Sequence, residues 1–405
     1  MELRFPLLMD AATGTELQKH GMPAGACSEQ WTLDHPDVMI NIQKGYIAAG
    51  SQVVYTPTFG ANRVKLEANH IFNKVGEYNQ RLAAIAKEAA GDKAMVAGDI
   101  APTGLFLYPM GSTTFEDFYE IYKEQAAALE SAGVDFFVIE TMMTVAEARA
   151  ALLAVKDVSD KPVFVSFTCD ENGRTLTGCD VTAVLEIMQG MGADAFGLNC
   201  SVGPDKMITQ LKRLGRLARV PLIAKANAGM PQLIDGKTVY DCPPDVYTEY
   251  TGEMAEAGVM VYGGCCGTDA SHIAALKEKL AELRMKHPDP EYTDKLPCAT
   301  EKELFFLEPD AGYSRVLDCT PELEDTLEDA LEDEDPIVAI AIRREEELDT
   351  FADYQYMISK PLCIVCDNAE LLEAALRLYQ GRALYDGNLP AEVLEKFSRK
   401  YGLLY

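Results

Sequence analysis

Two adjacent cysteines follow a short apolar segment near residue 260. The segment Val259–Tyr262 is typical of a buried strand, and two glycines then allow the tight turn that places Cys265 and Cys266 beyond the strand end. Thiolates are soft ligands that favour zinc, and a catalytic zinc site needs three protein ligands and an open fourth position. Cys200 also ends an apolar segment and is the third candidate. From spacing alone, ordinary buried cysteines are an equally good interpretation.

Short apolar segments alternate with longer helical patterns over the first 285 residues or so. Eight such repeats favour a closed (β/α)8 TIM barrel over an open sheet. In that fold the active site lies where the strands end, so all three cysteines fall on one rim, which strengthens the metal interpretation. The predicted strands are Leu7–Asp10, Val53–Thr56, Met95–Gly98, Phe136–Glu140, Val163–Phe167, Ala195–Leu198, Leu222–Lys225 and Val259–Tyr262.

Several motifs at these strand ends resemble one known family. They are Asp10-Ala11-Ala12-Thr13-Gly14-Thr15, Gly98-Asp99-Ile100-Ala101-Pro102-Thr103-Gly104, Glu140-Thr141, Gly197-Leu198-Asn199-Cys200 and Gly263-Gly264-Cys265-Cys266-Gly267-Thr268. The chain from Leu7 to about Leu283 resembles the homocysteine S-methyltransferase family, most of all the homocysteine-binding barrel of cobalamin-dependent methionine synthase.

The resemblance implies a zinc enzyme that transfers a methyl group to the thiol of homocysteine and so forms methionine. It implies that Cys200, Cys265 and Cys266 hold Zn²⁺ and that Asn227 fills the fourth position until substrate arrives. Zinc suits this reaction because it removes the thiol proton, whereas a free thiol with a pKa near 8.5 is mostly protonated at neutral pH.

The resemblance also implies a binding site for the amino-acid part of the substrate. Carboxylates at strand ends suit the ammonium group, and backbone N–H groups at the start of a helix suit the carboxylate. A turn or helix cap remains an alternative role for Asp10, an ion pair for Glu140, and support of the metal site or of the strand end for Asn199. Asp99 and Lys225 are interpreted as structural residues that can pair across the rim. The predicted substrate-binding residues are Asp10, Thr13, Gly14, Thr15, Glu140 and Asn199.

The methyl donor is open at this point. No cobalamin-binding module is recognisable in the sequence, so methylcobalamin would act only through a separate corrinoid protein, and a small methylated molecule is the other candidate donor. Two further hypotheses are the same zinc-thiolate chemistry on another thiol acceptor and a non-catalytic subunit that docks a partner in a corrinoid methyltransferase system.

The overall composition argues against several classes of partner. A formal net charge of −28 disfavours binding to nucleic acid or to an anionic membrane surface. The odd number of cysteines, eleven, and an N-terminal segment without a basic and then apolar pattern favour a cytoplasmic protein without a disulfide framework.

The composition changes after residue 283, and we predict two domains, a barrel over residues 1–290 and a linker with a small acidic α/β module over residues 291–405. Ten of the eighteen residues in Asp318–Asp335 are acidic, yet Leu323, Leu327 and Leu331 recur at helical spacing. Three predicted strands alternate with helices after this segment. Part of the module faintly resembles a folate-binding barrel, so a partial remnant of such a barrel is one interpretation, and Cys363 and Cys366 are interpreted as buried thiols.

Overall fold

The computed structural model describes residues 3–234, 237–288, 290 and 294–405. Contacts divide the chain into two compact units, Met1–Leu176 with Asp194–Asp289, and Thr177–Ala193 with Pro290–Tyr405. The domain boundary between residues 290 and 291 stays a prediction, and residues 289 and 291–293 beside it lie outside the described residues. No helix in the described part of the chain has both the length and the apolar composition needed to cross a bilayer.

The described residues of the first unit contain ten strands. They are β1 (Leu7–Leu8), β2 (Val53–Tyr55), β3 (Met95–Ile100), β4 (Phe136–Met142), β5 (Val163–Phe167), β6 (Ala195–Asn199), β7 (Leu222–Lys225), β8 (Gln232–Ile234), β9 (Lys237–Val239) and β10 (Val259–Tyr262). Eight of them form one parallel sheet in the order β1-β10-β7-β6-β5-β4-β3-β2, which confirms the (β/α)8 prediction. The antiparallel pair β8 and β9 was not predicted from the sequence.

The barrel is nearly closed, and side chains bridge the seam between its first two strands. β1 and β2 share no ladder. Instead, the Gln52 N–H donates to the Leu8 carbonyl at 2.7 Å, and the Leu8 N–H donates to the Gln52 side-chain oxygen at 2.8 Å. Three residues after Gln52, the Tyr55 N–H donates to the Asp10 carboxylate at 2.8 Å. One backbone hydrogen bond and two bonds to polar side chains therefore replace the regular ladder found elsewhere in the barrel.

Alternating residues of the strands fill the barrel interior, because successive side chains on a strand point to opposite faces. Val53 and Tyr55 of β2, for example, lie in the same cluster as Met95 and Ala97 of β3. Interior layers of this kind form a packed core beneath the active-site face of such barrels. The buried interior cluster comprises Leu7, Met9, Val53, Tyr55, Met95, Ala97, Phe136, Val138, Phe164, Ala195, Ile223 and Val261.

In the part of the chain that the structure describes, twelve helices connect or follow these strands. They are α1 (Gly14–Lys19), α2 (Ser28–Asp34), α3 (Pro36–Ala49), α4 (Arg63–Ala68), α5 (Val75–Ala90), α6 (Phe115–Ser131), α7 (Val145–Val158), α8 (Val181–Gly190), α9 (Pro204–Gly215), α10 (Pro244–Tyr247), α11 (Thr251–Glu256) and α12 (Ala270–Ala281). Local sequence explains several helix starts: Thr114 and Asp117 form a capping box before α6, and the carboxylate of Asp180 caps α8.

The second unit is a small α/β module, as predicted. Its strands are β11 (Leu296–Ala299), β12 (Leu304–Leu307), β13 (Val316–Asp318), β14 (Val338–Ala341), β15 (Leu362–Val365) and β16 (Leu384–Asp386), and its further helices are α13 (Leu323–Glu332), α14 (Glu347–Tyr354), a 3-10 turn (Gln355–Met357), α15 (Ala369–Leu378) and α16 (Ala391–Tyr401). Strands β13 to β16 form a parallel sheet in chain order, and β11 and β12 form an antiparallel hairpin. Cys298 and Leu307 of the hairpin share a core with Ala339 and Cys363 of the sheet.

Helix α8 belongs to this second unit by its contacts, a grouping that the sequence did not indicate. The Arg382 guanidinium forms an ion pair with the buried Glu186 on α8 and donates to the Gly402 carbonyl at 2.8 Å. Cys363 and Cys366 are both buried free thiols, as interpreted from the sequence.

Candidate active site

The sulfur atoms of Cys200, Cys265 and Cys266 form a cluster at the carboxyl ends of β6 and β10. All three lie within 4.8 Å of one another, and the sulfurs of Cys200 and Cys266 are 4.0 Å apart. A zinc ion about 2.3 Å from each of three tetrahedral thiolates would place the sulfurs ~3.8 Å apart. Small side-chain rotations are therefore enough for all three sulfurs to bind one metal ion.

The turn after β10 holds two of these sulfurs by backbone contacts with the end of β7. The Cys265 N–H donates to the Ala226 carbonyl at 2.9 Å, and the Cys266 carbonyl accepts the Ala228 N–H at 2.9 Å. Gly264 is required here because a Cβ atom on it would lie 2.1 Å from the Thr268 hydroxyl oxygen. The turn therefore presents both thiols from a backbone that neighbouring segments hold in place.

Cys200 reaches the cluster from a strained backbone. Thr141, Cys200 and Ser201 have φ values of 60°, 62° and 61°, which non-glycine residues rarely adopt. Such conformations cost on the order of 1–3 kcal/mol each and persist where the surrounding structure enforces them, most often at functional sites. In Cys200 this conformation turns the chain just after β6 and places the sulfur beside that of Cys266.

Asn199 connects the strained residues to the sulfur cluster. Its side-chain oxygen accepts the Thr141 N–H at 2.9 Å and the Ser166 hydroxyl at 2.8 Å. Its NH₂ group donates to the Thr141 hydroxyl at 2.7 Å and points to the Cys265 sulfur at 3.9 Å. These contacts are of the kind that the alternative supporting role of Asn199 requires, and its role in substrate binding stays a prediction. The contacts of Thr141 and Ser166 were missed because the sequence does not indicate which side chains meet at neighbouring strand ends.

The three thiols do not titrate independently. Hydrogen bonds from Cys200 and Cys265 lower the pKa of the Cys266 thiol to about 3, whereas the hydrogen bonds with Cys200 and Cys266 raise the pKa of Cys265 well above its usual range. Tyr240 also donates to Cys266, and its ring lies against Gly267, which has a φ of 82° and no room for a Cβ atom. Tyr240 is thus a further contact of the cluster that sequence reasoning missed.

Asn227 lies beside the cysteine turn. It sits between Ala226 and Ala228, whose backbone groups bond to Cys265 and Cys266. Its side chain is buried, and its Oδ1 atom has no hydrogen-bond partner within the described part of the chain. Buried polar atoms are almost always satisfied, so this oxygen is open to a further ligand, and an amide oxygen beside three sulfurs is a donor set that suits a metal ion.

The buried Lys225 pairs with Asp10 rather than with Asp99, so the suggested pairing across the rim was wrong. Its ammonium group lies 3.2 Å from the Asp10 carboxylate and 3.6 Å from the centre of the Tyr55 ring. The Asp10 carboxylate thus bonds to both Lys225 and the Tyr55 N–H. Burial raises the pKa of Asp10, although Lys225 opposes that shift. The charge of Asp10 is already matched inside the protein.

A cavity of about 240 Å³ opens beside the sulfur cluster. This volume suits a small metabolite and lies below the range usual for drug-sized ligands. Of the predicted site residues, Asp10, Asn199 and Asn227 are not among those that line it, whereas seven others are. The predicted residues in its wall are Thr13, Gly14, Thr15, Glu140, Cys200, Cys265 and Cys266.

The wall of this cavity offers different polar groups at two places. Helix α1 begins at Gly14, so the first backbone N–H groups of that helix lie in the cavity wall. Glu140 lies at the end of β4, where burial raises its pKa to about 7. The cavity wall therefore contains hydrogen-bond donors at one place and a carboxyl group at another.

Comparisons with known proteins agree with this geometry. Residues 7–280 match the family model described as homocysteine S-methyltransferase. The chain is 31% identical over 293 residues to the methionine synthase of Mycobacterium tuberculosis, covering 68% of this chain and 24% of that protein. The methionine synthase of Mycobacterium leprae is 32% identical over 290 residues, with 67% and 24% covered. The chain thus spans about a quarter of the length of these relatives.

Among solved structures, the metallated form of the homocysteine methyltransferase MmuM from Escherichia coli superposes with a TM-score of 0.58. It is 24% identical, and the match covers 67% of this chain and 96% of that one. At that identity the likeness establishes the barrel fold alone. The family model covers well over half of the chain, and with it the Cys200, Cys265 and Cys266 cluster. The chain belongs to the homocysteine S-methyltransferase family.

Proposed function

We propose that this chain transfers a methyl group to the thiol of homocysteine and forms methionine, with Zn²⁺ bound by Cys200, Cys265 and Cys266. The observation that supports this proposal most strongly is the meeting of three sulfur atoms within 4.8 Å at one end of a small cavity. Family membership supplies the reaction class, and the sulfur cluster supplies a place for a thiol substrate.

The donor set suits zinc, since three thiolates and one neutral oxygen form a soft, four-coordinate site. Asn227 Oδ1 is our candidate for the fourth ligand, because a buried oxygen without a partner accepts a metal bond at no loss of another contact. An oxygen ligand is also the one that an incoming thiol would most readily replace. When bound, zinc would lower the pKa of the substrate thiol and keep it as a nucleophilic thiolate at neutral pH.

The chain's own residues orient the substrate for the transfer. The backbone N–H groups of Thr13, Gly14 and Thr15 hold the carboxylate, and Glu140 holds the ammonium group, so that the thiol points to the sulfur cluster. Displacement at a methyl carbon needs alignment of donor and acceptor rather than a general base. The cavity wall supports this role because most of its surface is apolar.

A methyl-corrinoid protein is our first candidate donor, because the two mycobacterial relatives are named methionine synthases. A small methylated molecule is the alternative donor. The test is methionine formation by the zinc-loaded protein with a methyl-corrinoid protein, betaine or S-methylmethionine as donor. Methionine formed with one of these donors would support the proposal. The proposal would be contradicted if no donor gave methionine and if homocysteine did not bind the zinc-loaded protein.

Replacement of single cysteines separates a catalyst from a docking subunit. We expect Cys266→Ala to lose both zinc and methionine formation. Cys242→Ala is the matched control, since Cys242 is a partly exposed free thiol of the same unit outside the sulfur cluster. Zinc content and activity that survive in Cys266→Ala would refute the proposed site.

A further inference from the structure

Tyr247 joins the two backbone segments that carry candidate metal ligands. It is the last residue of α10 and is 4% exposed. Its hydroxyl group donates to the Ala226 carbonyl at 3.0 Å and to the Gly263 carbonyl at 2.9 Å. Ala226 directly follows β7, and Gly263 directly follows β10, its neighbour in the sheet. One buried side chain therefore ties together the carboxyl ends of two adjacent strands.

The two carbonyl groups that Tyr247 bonds lie close in sequence to the candidate ligands. Ala226 directly precedes Asn227, and its carbonyl also accepts the Cys265 N–H at 2.9 Å. Gly263 lies two residues before Cys265. The Tyr247 hydroxyl therefore holds the backbone on both sides of the hydrogen bond that positions Cys265.

A buried histidine holds the ring of Tyr247 in place. The His272 ring meets the Tyr247 ring edge to face, with the ring centroids 5.3 Å apart and the planes at 88°. The His272 Nε2–H donates to the Cys242 carbonyl at 3.0 Å, and its Nδ1 atom lies 3.0 Å from the Asp269 carboxylate. Both ring nitrogens thus have partners, and the packing of α12 fixes the orientation of the Tyr247 ring.

The Tyr247 hydroxyl is suited to a permanent structural bond. Burial, and then the charge of the Cys265 sulfur, raises the pKa of Tyr247, so the hydroxyl keeps its proton at neutral pH. It has one proton to donate, which the two carbonyl groups share. Phenylalanine at this position would keep the ring and remove only these two bonds, so the contribution of the hydroxyl can be measured separately.

We infer that Tyr247 is a positioning residue of the metal centre, which holds the segment of Asn227 and the turn of Cys265 and Cys266 at the separation that metal binding requires. This inference rests on the proposed function, because it concerns zinc bound by those residues. Partners that orient metal ligands typically change metal affinity 10–100-fold. Without the Tyr247 hydroxyl, the metal ion itself would have to order the two segments, which lowers the affinity for it.

The test is the zinc affinity of Tyr247→Phe, measured by competition with a chelator at neutral pH. We expect the affinity to fall about tenfold or more. Tyr262→Phe is the matched control, because Tyr262 is a buried tyrosine of β10 whose hydroxyl donates to the Val259 carbonyl at 2.9 Å, at the strand end away from the cysteines. The control removes the same kind of bond and should leave zinc affinity within twofold of the wild type. Urea unfolding of both metal-free variants measures the loss of stability that accompanies each change.

An unchanged zinc affinity in Tyr247→Phe, or an equal loss in both variants, would overturn the inference. If Tyr247→Phe does not fold, hydrogen exchange of the wild-type protein provides the test. Because coupling between two events is reciprocal, bound zinc should slow amide exchange in α10, and exchange there that zinc does not change would overturn the inference as well. A wild-type protein that binds no zinc would overturn the proposed function and this inference with it.

Discussion

The ion pair between Asp10 and Lys225 allows a quantitative prediction about barrel stability. Both side chains are nearly fully buried, and their charged atoms are 3.2 Å apart. At an effective dielectric constant of about 20, their attraction is about 5 kcal/mol. Asp10→Asn removes the charge but keeps an oxygen for the Tyr55 N–H, so the main loss is a partner for the buried ammonium group.

We expect Asp10→Asn to lower the free energy of unfolding by about 3 kcal/mol, near the lower end of the cost of leaving a buried charge unpaired. This cost falls below the full attraction because Glu140 also favours the charged form of Lys225. The assay is urea unfolding followed by far-UV circular dichroism, with the shift of the midpoint measured at constant slope.

A double-mutant cycle isolates the pair. Lys225→Met alone leaves a buried carboxylate, whereas Asp10→Asn with Lys225→Met removes both charges. We expect the double variant to lose much less stability than the sum of the two single losses. Additive losses, or a single Asp10→Asn variant as stable as the wild type, would show that this ion pair does not stabilise the barrel.

Three further predictions concern other sites. Affinity for L-methionine, a product without a free thiol, should fall about tenfold from pH 8 to pH 6. The reason is that Glu140, with a pKa of about 7, takes up a proton as the pH falls and no longer attracts the ammonium group. Glu140→Gln should abolish this pH dependence, and an unchanged pH profile in that variant would exclude Glu140 as the cause. Asn227→Ala should weaken zinc binding about 10-fold in a chelator competition, in line with the usual loss from altered metal sites, and an unchanged affinity would exclude Asn227 as a ligand. Arg382→Met should destabilise the second unit by about 3 kcal/mol, because it removes an ion-pair partner of the buried Glu186, and a thermal transition of that unit at the wild-type temperature would contradict this.

The barrel and the sulfur cluster could be predicted from the sequence because their signals are local. Apolar segments such as Val163–Phe167 and Val259–Tyr262 match the observed strands residue for residue. Each cysteine immediately follows such a segment or its glycine turn, so a parallel barrel places all of them on one rim. The metal interpretation therefore depended only on the strand ends and the order of the motifs.

The pairing of buried charges could not be predicted in the same way. Lys225, Asp10 and Asp99 are far apart in the chain, and the sequence does not indicate which carboxylate the lysine meets. The structure assigns Asp10 because β1 and β2 share no ladder and a side chain bridges their seam. Once Asp10 takes the lysine, the Oδ1 atom of Asp99 is left without a hydrogen-bond partner among the described residues.

The second unit contains elements that local patterns did not indicate. The hairpin of β11 and β12 was not predicted, although it shares a core with the parallel sheet. The grouping of α8 with this unit depends on contacts with residues about two hundred positions later in the chain, such as Glu186 with Arg382. Periodicity identifies a helix and its apolar face, but it does not identify the partner of that face.

The number of sulfur atoms around bound zinc tests the central claim most directly. X-ray absorption at the zinc edge of the purified protein should give three sulfurs at about 2.3 Å, and a fourth after L-homocysteine is added. Each of Cys200→Ser, Cys265→Ser and Cys266→Ser should lose one sulfur or the metal itself. A zinc environment with fewer than three sulfurs in the wild type, or one that none of these replacements changes, would contradict the account.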